Sequence, residues 1–138
     1  MTTPIELPYA TCAELLTTQE VGRVAVCTSD GPRIVPVNYV VIDDSVVFRT
    51  TPYSVIGMHS WNSQMAFEVD QIDTEQQTGW SVVVTGRGTV VEDDVELRRI
   101  QSGHQPTPWA GGQRWLFVRI RWDDLTGRRI GPAVTMAG

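Results

Sequence analysis

Residues 34–57 read IVPVNYVVIDDSVVFRTTPYSVIG. The alternation through Pro36, Val37, Asn38 and Tyr39 predicts a strand over about 33–42. Asp43-Asp44-Ser45 is a tight turn, because short acidic and hydroxyl side chains satisfy the backbone locally there. A second strand over about 45–50 ends in Arg49-Thr50-Thr51, and Ser54 opens a short helix running to Trp61. A strand that delivers an arginine and hydroxyls to a helix N-terminus is a candidate anion site, since free N–H groups and the helix dipole both favour a phosphate. The bland alternative is a surface arginine after an edge strand, with the hydroxyls serving only to cap the helix.

Working outward, a first helix is predicted over about 11–19. Thr11 would cap it, Glu14 would complete a capping box, and Ala13, Leu15 and Leu16 would face the core. Gly22 would end it. Residues 23–28 then read as a strand, and Ser29-Asp30-Gly31-Pro32 as a hairpin turn. On the other side, 65–70 reads as a strand, 73–79 as a polar loop, and 80–91 as a long strand holding Gly86 and Gly88. Glycine inside a strand marks a bulge, a barrel corner or close backbone approach. Residues 93–102 suit a helix with an acidic start and basic end. The Pro- and Gly-rich stretch GHQPTPWAGGQ follows, then a strand over 114–122, a Leu125-Thr126-Gly127 turn and a short final strand ending at Ile130. About six or seven short strands with a few short helices predict a mainly β, α+β chain folded as an antiparallel β-barrel.

The bulk properties narrow the function. The chain has 138 residues, which fits one domain over 1–138 with a loose tail from about 132. Hydrophobic residues make up 41%, enough for a packed core. Neither a membrane-length apolar run nor a signal-peptide pattern is present, so a cytoplasmic protein is expected. The net charge of −5 argues against general nucleic-acid binding. All 11 basic residues are arginine. Without a lysine, a Schiff base to pyridoxal phosphate is excluded. Cys12 and Cys27 read as reduced thiols, and His59 and His104 stand too far apart in sequence for a zinc site, so no metal is expected.

The order and spacing of GRVAV from residue 22, PVNYVVIDDSVVFRT at 36–50, MAFEVDQID at 65–73, GWSVVVTGRGTVVE at 79–92 and LTGRRI at 125–130 go together. In these stretches the chain resembles the flavin-binding split-barrel family, also called pyridoxamine 5′-phosphate oxidase-like proteins. Within that family it resembles the short bacterial members that include nitroimidazole-resistance reductases. The resemblance implies a split β-barrel homodimer with FMN at the subunit interface. It implies a phosphate held by Arg49, Thr50, Thr51 and Ser54, with Val55 beside them. The backbone of Val35, Pro36, Val37 and Asn38 would border the isoalloxazine ring. The second subunit would contribute from Trp80 and Ser81, and from the Trp109 loop.

The chain departs from the family pattern at Val55, where a lysine commonly follows the serine. That leaves room for a deazaflavin in place of FMN, or for a flavin- or haem-binding protein without turnover. Only Arg128-Arg129 stand for the family's Arg-rich C-terminal end, so pyridoxamine phosphate itself is not the expected substrate. A flavin-dependent oxidoreductase acting by hydride transfer on a small molecule is the leading expectation, with no residue standing out as catalytic. Asn38 needs a polar partner if buried, either across the strands or on the flavin. Most of the five tryptophans are expected in the core or an interface, with Trp80 and Trp109 the candidates for ring stacking. Arg87, between two glycines, is a strand residue paired with an acid or a ligand contact. Asp43, Asp44, Asp93 and Asp94 sit where turns and helix starts favour acids.

Overall fold

A computed structural model describes residues 3–102 and 116–131. The strands are β1 (Ile5–Glu6), β2 (Val21–Thr28), β3 (Gly31–Ile42), β4 (Ser45–Thr50), β5 (Ser63–Asp73), β6 (Thr78–Val90) and β7 (Leu116–Ile130). The helices are α1 (Tyr9–Leu16), α2 (Val55–His59) and α3 (Asp94–Ser102). The strands form one sheet in the order β1-β7-β4-β3-β2-β5-β6, and β6 pairs back onto β7. That last pairing closes a six-strand ring, β7-β4-β3-β2-β5-β6, with β1 appended to β7. Every pairing is antiparallel, so the expected antiparallel split barrel is what forms.

Hairpins set the register. Thr28 pairs with Gly31, so Ser29 and Asp30 are the turn, and Gly31 takes φ +111°, a conformation side chains rarely adopt. Ile42 pairs with Ser45 around Asp43 and Asp44, and Asp43 accepts φ 54°. Alternation then fills the barrel. Val24, Val26, Val37, Tyr39, Val46 and Phe48 point inward with Met65, Phe67, Val69, Val82, Val84, Val118 and Ile120. Helix α1 closes one end with Cys12, Leu15 and Leu16. Tyr39 sets its ring edge-on to Phe67 at 4.7 Å and donates its hydroxyl hydrogen to the Leu16 carbonyl. A second cluster lies outside the barrel, where Ile100 and Leu97 of α3 cover Val47 and Phe117.

Three details differ from the sequence reading. Helix α1 starts at Tyr9, with Pro8 rather than Thr11 as its N-cap. Proline tolerates that position because its fixed φ and missing N–H cost nothing before the first turn. The helix ends at Leu16, where Thr17 and Thr18 fold their hydroxyls back onto the Glu14 and Leu15 carbonyls. Gly22 instead lies in β2, where an added Cβ would sit 2.2 Å from the Phe67 ring. Finally, the strand at 114–122 and the final short strand are one, since β7 runs unbroken through Leu125-Thr126-Gly127. A register shift at Thr85/Gly86 absorbs Asp123 as a bulge, and the pairing with β6 resumes on both sides. No helix among the described residues is long and apolar enough to cross a membrane.

Candidate functional site

The β3–β4 ladder runs from Ile42↔Ser45 to Tyr39↔Phe48 and stops there, although both strands continue. Tyr39 gives its backbone N–H to Glu20 on the β2 side. Backbone groups alternate along a strand, so Asn38 and Pro36 turn theirs towards β4. Proline has no N–H to donate, and a ladder cannot be carried across it. The strands therefore part at Asn38 and Arg49. On one side of the split lies the Val35–Asn38 backbone, on the other Arg49 and Thr50. Side chains follow the same alternation: Val35 and Val37 pack towards the core, while Pro36 and Asn38 face out. Val35 and Val37 can reach a ligand here only through their backbone.

The loop after β4 is organised by one serine. Ser54 caps α2, accepting the Gly57 N–H at 2.9 Å and donating to the Thr51 carbonyl at 2.8 Å. Thr50 Oγ1 lies 2.7 Å from the same Ser54 Oγ. A serine hydroxyl has one hydrogen and two lone pairs. With its hydrogen on Thr51, it accepts from Thr50, and all its capacity is used. An added Cβ on Gly57 would meet the Thr51 carbonyl at 2.0 Å, so the loop is wrapped tightly onto α2. The serine holds the loop, and the mobile donor of the pair is Thr50.

Arg49 and Thr50 are consecutive and leave the strand on opposite sides. The guanidinium lies 5.7 Å from the centre of the Phe117 ring, half-buried, and desolvation pulls its pKa below the ordinary arginine value. Beyond the split stands an apolar apron. Tyr53 is 78% exposed, Met58 62%, Trp61 55% and Val55 42%. Val55 thus places an apolar side chain where the family resemblance leads one to look for a lysine.

Trp80 and Ser81 are not brought to Arg49 within one chain. Along β7, Phe117 pairs with Arg49 and Arg128 with Ser81. Eleven residues of strand separate them, about 35 Å of contour. Trp80 is 3% exposed within the chain and packs in the barrel core. Ser81 faces outward and borders a groove of about 650 Å³ with Glu68, Val83 and Arg128. Trp109 lies outside the described residues, as do His104 and the tail from Pro132.

A family model described as Pyridoxamine 5'-phosphate oxidase matches residues 8–129. The chain belongs to that family. Within the pyridoxamine 5′-phosphate oxidase family it is 34% identical over 131 residues to the uncharacterized protein Rv0080 of Mycobacterium tuberculosis, covering 91% of this chain and 85% of that one. It superposes on the FAD binding protein of Mycobacterium smegmatis with a TM-score of 0.77 and 29% identity, over 91% of this chain and 97% of that one. A conserved protein of unknown function from Corynebacterium diphtheriae gives a TM-score of 0.75 and 32% identity, over 93% and 98% of the two chains.

The acidic pairs have local roles. Asp43 takes an ion pair with Arg99 at 2.9 Å, and Asp93 accepts the Glu96 N–H at the start of α3. Arg87 is exposed and donates to the Asn62 carbonyl at 2.7 Å, and among the described residues no acid pairs with it. The sequence reading missed Arg119 and Arg121. Their alternation in LFVRIRW was the available signal, since every second residue of a barrel strand shares a face.

Proposed function

We propose that this pyridoxamine 5′-phosphate oxidase family member binds FMN in the split between β3 and β4 and works as a flavin-dependent oxidoreductase. The observation that carries the reading is the parting of the ladder after Tyr39↔Phe48. It opens the barrel wall between the two segments that the family resemblance assigns to the flavin. The M. smegmatis relative, at 29% identity, is an FAD binding protein, which supports a flavin as the cofactor class.

The residues fit such a group. Arg49 supplies the fixed positive charge for a phosphate, and its partial burial strengthens any ion pair it makes. Thr50 can turn its hydroxyl hydrogen from Ser54 to a phosphate oxygen without disturbing the cap. Thr51 adds a hydroxyl at the same strand end. The Asn38 amide and the Pro36 carbonyl offer hydrogen-bonding groups at the opposite edge, suited to the polar rim of a flat heterocycle. A bound flavin supplies the hydride chemistry. This chain's part is to bind it, orient it and exclude water from one face.

The site is completed by a second copy. Ser81 is remote from Arg49 along the same chain, while the apron of Tyr53, Val55, Met58 and Trp61 leaves apolar surface beside the split for a partner to cover. A homodimer that sets the Ser81 groove of one protomer against the split of the other satisfies both. A deazaflavin is the second reading, favoured by Val55, which removes one cation from the phosphate end. Anaerobic titration of purified protein with FMN, FAD and a deazaflavin, followed by addition of a nicotinamide donor, tests the proposal. Tight FMN binding and bleaching by the donor support it. Binding of the deazaflavin alone transfers the site to the second reading, and a flavin complex that no donor reduces removes the enzymatic part.

A further inference from the structure

A second cluster of arginines stands on the outer face of the barrel. β6 and β7 place Arg87 directly opposite Arg121, and Thr89 opposite Arg119. On the other side of β7, Ser45 pairs with Arg121. Like charges directly across an antiparallel ladder are destabilising, yet this face carries two arginines paired across the ladder with a third at the diagonal. Among the described residues, no carboxylate lies within 4.0 Å of the Arg87 or Arg121 guanidinium. Of the nearby acids, Asp43 pairs with Arg99 outside the cluster, while Glu96 pairs with the cluster's own Arg119 and leaves Arg87 and Arg121 as its uncompensated charges.

The backbone shapes this cluster into a concavity. An added Cβ on Gly86 would lie 2.1 Å from the Arg121 carbonyl, so the two strands press together there. The Asp123 bulge sits at the same point and re-aims the side chains on either side of it. The three arginines, with Ser45, Thr89 and the carboxylates of Asp43, Asp44 and Asp123, border a groove of about 480 Å³. That falls within the range of small-molecule sites. The groove is separate from the β3–β4 split. Ser45 and Arg49 lie at opposite ends of β4, about 13 Å apart along the strand, and α3 is seated on Val47 and Phe117 between them.

We propose that this groove is a second binding site, for a small phosphorylated metabolite of the sugar-phosphate or nucleotide type. Arg87 and Arg121 grip the phosphate. Each guanidinium has five N–H donors in a planar fork, and among the described residues Arg87 spends one of them on the Asn62 carbonyl. Asp44 and Asp123, on the rim, accept from the ligand's hydroxyls. A ligand that carries sugar hydroxyls beside its phosphate gains these additional hydrogen bonds, so the site prefers it to inorganic phosphate.

The test is calorimetric titration of the full chain with ribose 5-phosphate and, separately, with inorganic phosphate. Arg121→Gln, Arg87→Gln and the control Arg33→Gln, an exposed arginine elsewhere, are compared. The expected result is saturable binding of ribose 5-phosphate, tighter than that of inorganic phosphate. Arg121→Gln and Arg87→Gln should each weaken it about tenfold or more. Arg33→Gln should leave it unchanged, and FMN affinity should be the same in all four proteins. Absence of saturable binding overturns the proposal, as does an equal loss in Arg33→Gln. A loss of FMN affinity in Arg121→Gln also overturns it, because the groove would then belong to the flavin site. Thermal melts of each variant confirm the fold, since both arginines are exposed and neither supports the core.

Discussion

Thr50 Oγ1 lies 2.7 Å from Ser54 Oγ, and this contact joins the last residue of β4 to the cap of α2. The same serine oxygen receives the Gly57 N–H and donates to Thr51. One hydroxyl therefore fixes both the loop that follows the strand and the helix that follows the loop.

Ser54→Ala removes all three bonds. The expected loss of stability is about 1–2 kcal/mol, measured by urea denaturation. Thr50→Val removes only the Thr50 contact and should cost about 1 kcal/mol or less. Equal stability of Ser54→Ala and wild type would show that the cap does not hold the loop.

Tyr39 is buried with its hydroxyl on the Leu16 carbonyl, and desolvation raises its pKa well above the ordinary tyrosine value. The folded chain thus keeps this proton at a pH where the unfolded chain, titrating near pH 10, has released it. Stability from this group is full below about pH 10 and is lost as pH rises beyond it. Tyr39→Phe should lower stability at neutral pH by about 1–3 kcal/mol, through the orphaned carbonyl, and should flatten the alkaline fall. An alkaline limb of unchanged steepness in the variant would assign the fall to other groups.

Gly22 faces the core, where an added Cβ would lie 2.2 Å from the Phe67 ring and 2.9 Å from the Glu68 carbonyl. Phe67 is fully buried and touches Tyr39, so it has no room to retreat. Gly22→Ala should cost about 1–3 kcal/mol by overpacking, read as a lower melting temperature. A melting temperature equal to or above that of wild type would mean that the core yields more than its packing indicates.

The two cysteines should differ in reactivity. Cys12 is fully buried, and desolvation raises its thiol pKa. Cys27 is exposed on β2. An aromatic disulfide reagent at pH 8 should modify one thiol quickly and the second only in denaturant, since the thiolate is the reactive form. Two fast thiols would show that α1 opens readily from the end of the barrel.

The barrel was legible because its strands alternate cleanly and its turns are short. Asp43-Asp44 and the Asp30-Gly31 pair each fix a register within a few residues. The start of α1 was not legible, because Thr11 and Glu14 satisfy a capping pattern that Pro8 pre-empts. β1 escaped notice because two residues paired to the end of β7 carry no periodicity of their own. β7 read as two strands because a turn-like Leu-Thr-Gly is held extended by β6. At the site, the sequence indicated both segments that border the split. It did not show that the ladder ends between them, since that depends on which edge of Pro36 meets β4. The burial of Trp80 was not legible for a similar reason: its facing is set by the pairing with β7 rather than by its place at a strand start.

The most direct test of the central claim is the affinity of the purified protein for FMN, measured by fluorescence quenching in wild type and in Arg49→Ala. The split between β3 and β4 with Arg49 at its phosphate end predicts saturable binding by wild type. A charge-assisted bond to phosphate contributes about 1.5–3 kcal/mol, so Arg49→Ala should bind FMN roughly 10- to 100-fold more weakly while still unfolding cooperatively. Undiminished FMN affinity in Arg49→Ala would contradict the account and place the phosphate elsewhere on the barrel.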